Sequence, residues 1–171
     1  KNGFAPHIFK PDTAKMTGGD EEIIGMDHND YAFTTYIFKE KLKAPIKITS
    51  DFSFDSFGAP TFLFGEGVKK ENDFFVSASH VEVTVWENGI NFWNIVLEES
   101  NHKTTLIHHE KFDVPGGKHH VEIEFGRDEI KVNLDGRASK ISYPVLKEGY
   151  FGFIGCEGMN RFYNITLCAI E

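Results

Sequence analysis

Both tryptophans of the chain, Trp86 and Trp93, fall within SHVEVTVWENGINFWNIVLEE, residues 79–99, together with His80, Glu82 and Asn91. These side chains are suited to holding a sugar. A flat indole stacks on the C–H face of a pyranose ring, while carboxylate, amide and imidazole groups bond its hydroxyls. The stretch alternates apolar and polar residues, turns at Asn88-Gly89 and alternates again, which is the pattern of a β-hairpin. A two-residue Asn88-Gly89 loop pairs Glu87 with Ile90, Trp86 with Asn91, Val85 with Phe92 and Thr84 with Trp93. One face then carries His80, Glu82, Thr84, Trp86, Asn91, Trp93 and Ile95. The other carries Val81, Val83, Val85, Phe92, Asn94 and Val96 and is the better core face. The expected carbohydrate-binding set is therefore His80, Glu82, Trp86, Asn91 and Trp93. The competing expectation is that an N-terminal arm or a loop covers this face and the tryptophans are packing residues.

Other chemistry is thinner. Glycoside hydrolysis needs two carboxyls facing one another across the bond to be cut. Glu82 is the candidate catalytic member on the tryptophan face. Glu122 and Glu124 share a face of another strand, with Lys131 placed to neutralise Glu124. His108-His109-Glu110 and His119-His120 invite a metal, but neighbours on a strand point to opposite faces, so neither histidine pair chelates from one side. No metal is assigned to them. The oxygen-rich stretches 18–22 (GGDEE) and 25–30 (GMDHND) do not match an EF-hand loop and read first as turns. The chain has no G-x-S-x-G elbow and no glycine-rich phosphate loop. The sequon Asn164-Ile165-Thr166 falls in a predicted strand.

The elements that must position these residues are strands almost throughout. Residues 1–21 read as an irregular arm that Phe4, Ile8 and Phe9 could pin to the body. From Glu22 the alternation gives strands near 22–26, 31–41, 46–55, 60–66, 74–86, 91–99, 103–110, 119–126, 129–135, 138–143, 149–156 and 161–169. Only TAKM and YPVLKEG could hold a helical turn. A loop at Arg127-Asp128 pairs Phe125 with Ile130, Ile123 with Val132 and Val121 with Leu134, setting Glu124 opposite Lys131. A closing hairpin turning near Gly158–Asn160 sets Cys168 opposite about Tyr150, too far from Cys156 for a disulfide. Close-spaced antiparallel strands without repeats or linkers predict an all-β, two-sheet sandwich, taken as one domain over residues 1–171.

Composition narrows the partners. The 171 residues include 17 Phe, enough for a thick sheet-on-sheet core. Lys plus Arg total 18 against 26 Asp plus Glu, a net charge of −8, which disfavours nucleic acid. No stretch reaches the roughly 18 apolar residues of a membrane span. A chain beginning at Lys1 without a signal peptide reads as a mature or trimmed form. Oligomeric state is left open.

Two stretches carry a family resemblance. GKHHVEIEFGRDEIKVNLDGR resembles the strand–turn–strand, Asp-Gly core of concanavalin A-like lectin/glucanase jelly rolls, including laminin-G-like modules. EGYFGFIGCEGMNRFYNITL resembles their closing pair, an ending shared by 3-keto-disaccharide hydrolase domains of gut and soil bacteria. The resemblance covers about residues 45–169. It implies a jelly-roll sandwich, a glycan ligand on the concave face of one sheet, and a secreted, periplasmic or cell-surface bacterial protein. It implies no cofactor beyond an optional structural calcium near the terminal strands. The chain departs from it in two places: GAPTFLFGEG stands where the keto-disaccharide hydrolases carry Asn-Ser-Gly, and no Glu-x-Asp-x-x-Glu string of laminarinase-type enzymes is present. A lectin-like binding module is the leading expectation. A glycoside hydrolase using Glu82 and a structural or protein-interaction domain are the alternatives.

Overall fold

The computed structural model describes residues 4–9, 14–18, 22–27, 33–55, 57–71, 74–99 and 101–170, with side chains from Thr35 onward except at 70–77. The strands are β1 (Phe4–Phe9), β2 (Ala14–Gly18), β3 (Glu22–Asp27), β4 (Phe33–Phe38), β5 (Leu42–Lys43), β6 (Ile46–Phe54), β7 (Thr61–Gly65), β8 (Val68–Glu71) and β9 (Phe74–Ser77). They continue as β10 (His80–Trp86), β11 (Gly89–Glu98), β12 (Asn101–Lys111), β13 (Gly117–Phe125), β14 (Glu129–Leu134), β15 (Arg137–Ser142), β16 (Glu148–Cys156) and β17 (Met159–Ala169). The described residues contain no helix, and none therefore long and apolar enough to cross a membrane.

Two antiparallel sheets form the sandwich. Sheet A runs β1-β4-β16-β7-β10-β11-β12, with β5 beside β16, and sheet B runs β15-β14-β13-β6-β17-β3-β2. Alternation decides what each strand buries. In β6, Ile46, Ile48, Ser50, Phe52 and Phe54 are buried while the residues between them are partly exposed. Phe52, Phe125 and Phe162 of sheet B meet Phe62, Phe64, Phe92, Phe151 and Phe153 of sheet A, all with at most 1% exposure. Each such ring contributes roughly 1.5–3 kcal/mol by leaving water, so the phenylalanine-rich composition is realised as an inter-sheet core.

The β13–β14 register is the expected one, with Phe125 opposite Ile130 and Glu124 opposite Lys131. Other expectations are corrected. Residues 4–9 and 14–18 are not an irregular arm: β1 pairs with β4 and β2 with β3, each at the edge of its sheet. Edge strands tolerate residues that break alternation, such as Pro6, which hid these two. The arm's anchoring side chains and those of 18–22 and 25–30 lie outside the described residues. β16 and β17 do not pair as a hairpin, because the chain crosses from sheet A to sheet B at Glu157-Gly158. Cys156 and Cys168 are not bonded to each other, now because they lie in different sheets. The expected strand 74–86 is split into β9 and β10.

That split belongs to one long hairpin. β8–β9 keeps the register of β7–β10, and Glu66 N–H to Ser79 O (2.9 Å) and Ala78 N–H to Gly67 O (2.7 Å) fill the gap between them. Val68, just past the gap, packs back onto the outer face of sheet A against Ile37, Leu63 and Ile154.

Candidate functional site

The β10–β11 turn lies one residue earlier than Asn88-Gly89. Trp86 pairs with Gly89 across a Glu87-Asn88 loop, and Val85 pairs with Ile90, Val83 with Phe92, Thr84 with Asn91 and Glu82 with Trp93. Gly89 itself enters the ladder at φ +130°, where a Cβ would stand 2.0 Å from the Glu110 carbonyl oxygen. Asn-Gly therefore marks the turn, but the glycine serves close strand approach rather than the loop centre. The pairing moves by two positions, which keeps every side chain on its face.

Val81, Val83, Val85, Ile90 and Phe92 point into the core. His80, Glu82, Thr84, Trp86, Asn91, Trp93 and Ile95 point outward from sheet A. The N-terminal strand β1 lies at the opposite edge of this sheet, six positions from β12, so it does not cross the tryptophans.

The outward side chains form two polar groups. His80 is 7% exposed and its Nδ1 donates to Ala78 O at 2.5 Å, while its Nε2 donates to Glu82 Oε1 at 2.8 Å. Gly65 faces His80 across the ladder, where a Cβ would come within 2.3 Å of the histidine's own Cβ. His80 thus spends both ring nitrogens inside the protein and fixes the Glu82 carboxylate. Glu82 is held between the buried Leu63 and the partly exposed Trp93 on the neighbouring strands. In the second group, His109 Nδ1 donates to Asn91 Oδ1 at 2.6 Å, and its ring lies 5.9 Å from that of Trp86. The Trp86 indole N–H is buried and has no partner in the structure. Between the groups, Thr61 Oγ1 donates to Thr84 Oγ1 at 2.9 Å.

His109 was not among the expected binding residues. Its place depends on β12 pairing Asn91 with His109, followed by a bulge after Phe92. Alternation within β12 does send His108 inward, beside Phe92 at 6.1 Å, and His109 outward. His119 and His120 likewise split, the first buried against Phe52 and Phe54 and the second exposed. β12 and β13 belong to different sheets, so the two histidine pairs do not meet. Among the described residues no three His, Cys, Asp or Glu side chains are grouped to hold a metal ion.

The outer face of sheet B is built differently. Lys47 meets Glu122 at 2.9 Å, and Lys131 meets Glu129 at 2.7 Å and Glu124 at 3.3 Å. The bond to Glu122 raises the Lys47 ammonium above its ordinary range. Lys131, with Lys140 behind it, holds the Glu129 carboxyl below its own. Asp51 accepts from His120 (2.8 Å) and Asn164 (2.8 Å) and lies 3.4 Å from Lys118, which together lower its carboxyl, His120 most. An open groove of about 350 Å³ on this face is lined by Glu122, Glu124, Lys131, Asn133 and Lys140. Glu122 and Glu124 are therefore both held by lysines, on the sheet that lacks the tryptophans.

With this geometry in hand, comparison with solved structures fixes the architecture. The carbohydrate-binding module CBM66 from Bacillus subtilis superposes with a TM-score of 0.72 at 19% identity, over 96% of this chain and 94% of that one. The fold is the concanavalin A-like jelly roll. A Bacillus subtilis protein described as having a galectin-like fold gives 0.69 at 12% identity over 96% and 88% of the two chains. A family 16 endo-glucanase from Bacteroides ovatus gives 0.60 at 11% over 96% and 94%. No protein-family model matches the sequence, and no curated protein matches it significantly. At these identities the jelly roll is shared and the site residues are this chain's own.

Proposed function

We propose that the protein is a carbohydrate-binding module whose glycan lies on the outer face of sheet A, stacked on Trp86 and Trp93. The observation that carries this reading is the composition of that face. Two partly exposed indoles stand among Asn91, His109 and Glu82, each polar group already oriented by a neighbour. Such preorganised aromatic and amide groups are what a hydroxyl-rich ligand needs. Glu82, Asn91 and His109 bond hydroxyls. His80 acts behind Glu82 as a positioning residue.

The jelly-roll neighbours include both a binding module and a glucanase, so a hydrolase using Glu82 is the second reading. One observation weighs against it. On β7, β10, β11 and β12, Glu82 is the single carboxylate among the described outward positions, and His80 already holds it. A two-carboxylate mechanism lacks its partner there. The proposal extends to a secreted or surface-bound protein acting on extracellular glycans, to the jelly roll as the chain's one domain, and to a calcium near the terminal strands as an optional structural ion.

Because both tryptophans lie on one hairpin, their fluorescence reports the face directly. Titration with a panel of soluble glycans should shift or quench emission for at least one class without releasing reducing ends. A spectrum unresponsive to the whole panel would sink the binding reading, and product release lost in Glu82→Gln would favour the hydrolase.

A further inference from the structure

The two outward groups are separated along the strands, and that separation specifies the ligand further. Trp86 shares its row with Gly89, and Trp93 shares its row with Glu82, four residues away on β10. At about 3.4 Å per residue the rows lie roughly 14 Å apart, longer than a single sugar ring. The strip is bounded on one side. Leu63, beside Glu82, is 1% exposed because Val68 and Tyr150 pack over the Ile37–Leu63–Ile154 cluster. On the other side β12 is the last of the described strands in the sheet. The outward side chains that water reaches there include Trp86, Asn91 and His109 at one end and Glu82, Trp93 and Leu106 at the other, with Thr84 buried between them; they span β10, β11 and β12, two strand spacings or roughly 10 Å. A ligand in this strip lies along the strands rather than across them.

Each end of the strip is a subsite of its own. At one end Trp86 is flanked by the Asn91–His109 pair. With His109 Nδ1 donating to Asn91 Oδ1, the Asn91 amide keeps its N–H₂ donor and the imidazole keeps Nε2 as an acceptor when neutral. Exchanging the amide's two ends gives the same complement, one donor and one acceptor, with the roles swapped. That complement fits vicinal hydroxyls. At the other end Trp93 lies between Glu82, whose second oxygen is not taken by His80, and the exposed Leu106. Outward positions of β10–β12 include one lysine, Lys111, at the end of the strip, and no arginine, so the strip is matched to hydroxyls and not to carboxylates or sulfates.

We infer that the ligand is an uncharged, linear oligosaccharide of several units, bound lengthwise along β10–β11 by two tryptophan subsites, Trp86–Asn91–His109 and Glu82–Trp93–Leu106. This rests on the carbohydrate-binding reading above and adds chain length, direction and charge to it. Two linked subsites act on one chain as a bivalent contact, so affinity rises once the ligand spans both.

The test is calorimetric titration with cello-, laminari-, xylo- and fructo-oligosaccharides of one to six units, and with oligogalacturonides as the acidic series. In the neutral series that binds, affinity should climb at least tenfold between one unit and four and then level off, and oligogalacturonides should be silent. Trp86→Ala, and separately His109→Ala in case the indole is needed for folding, should bring the long chains down to the affinity of the short ones. Equal affinity for one unit and for four, or full length dependence retained in both variants, overturns the two-subsite inference while leaving glycan binding standing. Tighter binding of the acidic series overturns its charge assignment. Silence from every series defeats the carbohydrate-binding reading and this inference with it.

Discussion

The two outer faces of the sandwich each carry a histidine–carboxylate contact of 2.8 Å, His80 to Glu82 on sheet A and His120 to Asp51 on sheet B. The bonds are alike and their surroundings are not. The His80 and Glu82 side chains are 4% and 15% exposed, those of His120 and Asp51 54% and 23%. On sheet B the pair is one link in a net of lysines and acids that water already solvates. On sheet A it is isolated among Leu63, Gly65, Trp93 and Ile95. A sheet face meant only for water is served by mutually neutral charges. A face built on one buried pair and two indoles sacrifices solvation for fixed geometry, and a ligand can exploit that.

The strongest test of the contrast removes each histidine in turn. His80→Ala strips the donor from both the Ala78 carbonyl and the enclosed Glu82 carboxylate. Removing one partner of a buried pair costs about 3 kcal/mol, a fall in Tm of roughly 6–12 °C for a chain this size. His120→Ala should cost under about 1 kcal/mol, as exposed pairs do. Equal losses in a urea titration of the two variants would erase the distinction drawn between the faces.

Next in size is an effect on binding rather than on folding. Trp93→Ala should weaken glycan affinity about 30-fold, the roughly 2 kcal/mol of a hot-spot aromatic, with stability within about 1 kcal/mol of the parent. Tyr163→Ala removes the aromatic over which Lys118 sits on sheet B, at 4.9 Å, and should leave glycan affinity unchanged. If calorimetry shows the tyrosine variant losing binding as well, the ligand is not confined to sheet A.

These faces were legible in the sequence to different depths. Alternation assigned Val83 and Phe92 inward and Glu82 and Trp93 outward, and survived a misplaced turn because an error of two residues preserves parity. In β13–β14 the charge pair Glu124–Lys131 and the apolar pairs agreed on a single register. What could not be read were relations between strands distant in sequence. Nothing near Asn91 announces His109, eighteen residues on, because its position depends on the bulge between β11 and β12. The sheet change at Glu157-Gly158 looks locally like any hairpin turn, since Gly and Asn serve both. Likewise the split histidine pairs were visible from strand parity, whereas the burial of His80 was not, because it depends on the missing side chain of Gly65 across the ladder.

A smaller effect carries a pH signature. Asp51 is held ionised by His120, Asn164 and Lys118, so its folded carboxyl titrates below its unfolded one. A lowered acid contributes stability above the unfolded value, about 3.9, and loses it as pH falls through the folded value. Asp51→Asn should therefore cost about 1 kcal/mol near pH 7, and the gap between variant and parent should close as the solution is acidified below about pH 4. A gap that stays constant down to pH 2 would mean that the carboxylate's charge is not what the cluster uses.

The smallest expected change is at Lys131, although it has more ionic partners than His80. Lys131 reaches Glu129 at 2.7 Å and Glu124 at 3.3 Å, yet its side chain is 47% exposed. Water solvates the ammonium nearly as well as the two carboxylates do, and Lys140 stays within 3.3 Å of Glu129 when Lys131 is gone. Lys131→Ala should thus leave the urea midpoint the least changed of these variants, and 0.5 M salt, which screens exposed charges beyond a few ångströms, should shrink even that change. The same salt should leave the cost of His80→Ala nearly intact, because the His80–Glu82 contact is 2.8 Å long with its side chains only 4% and 15% exposed, and a largely buried pair is screened little. Salt titration of the two variants side by side therefore separates the faces by mechanism, where thermal stability separates them only by size.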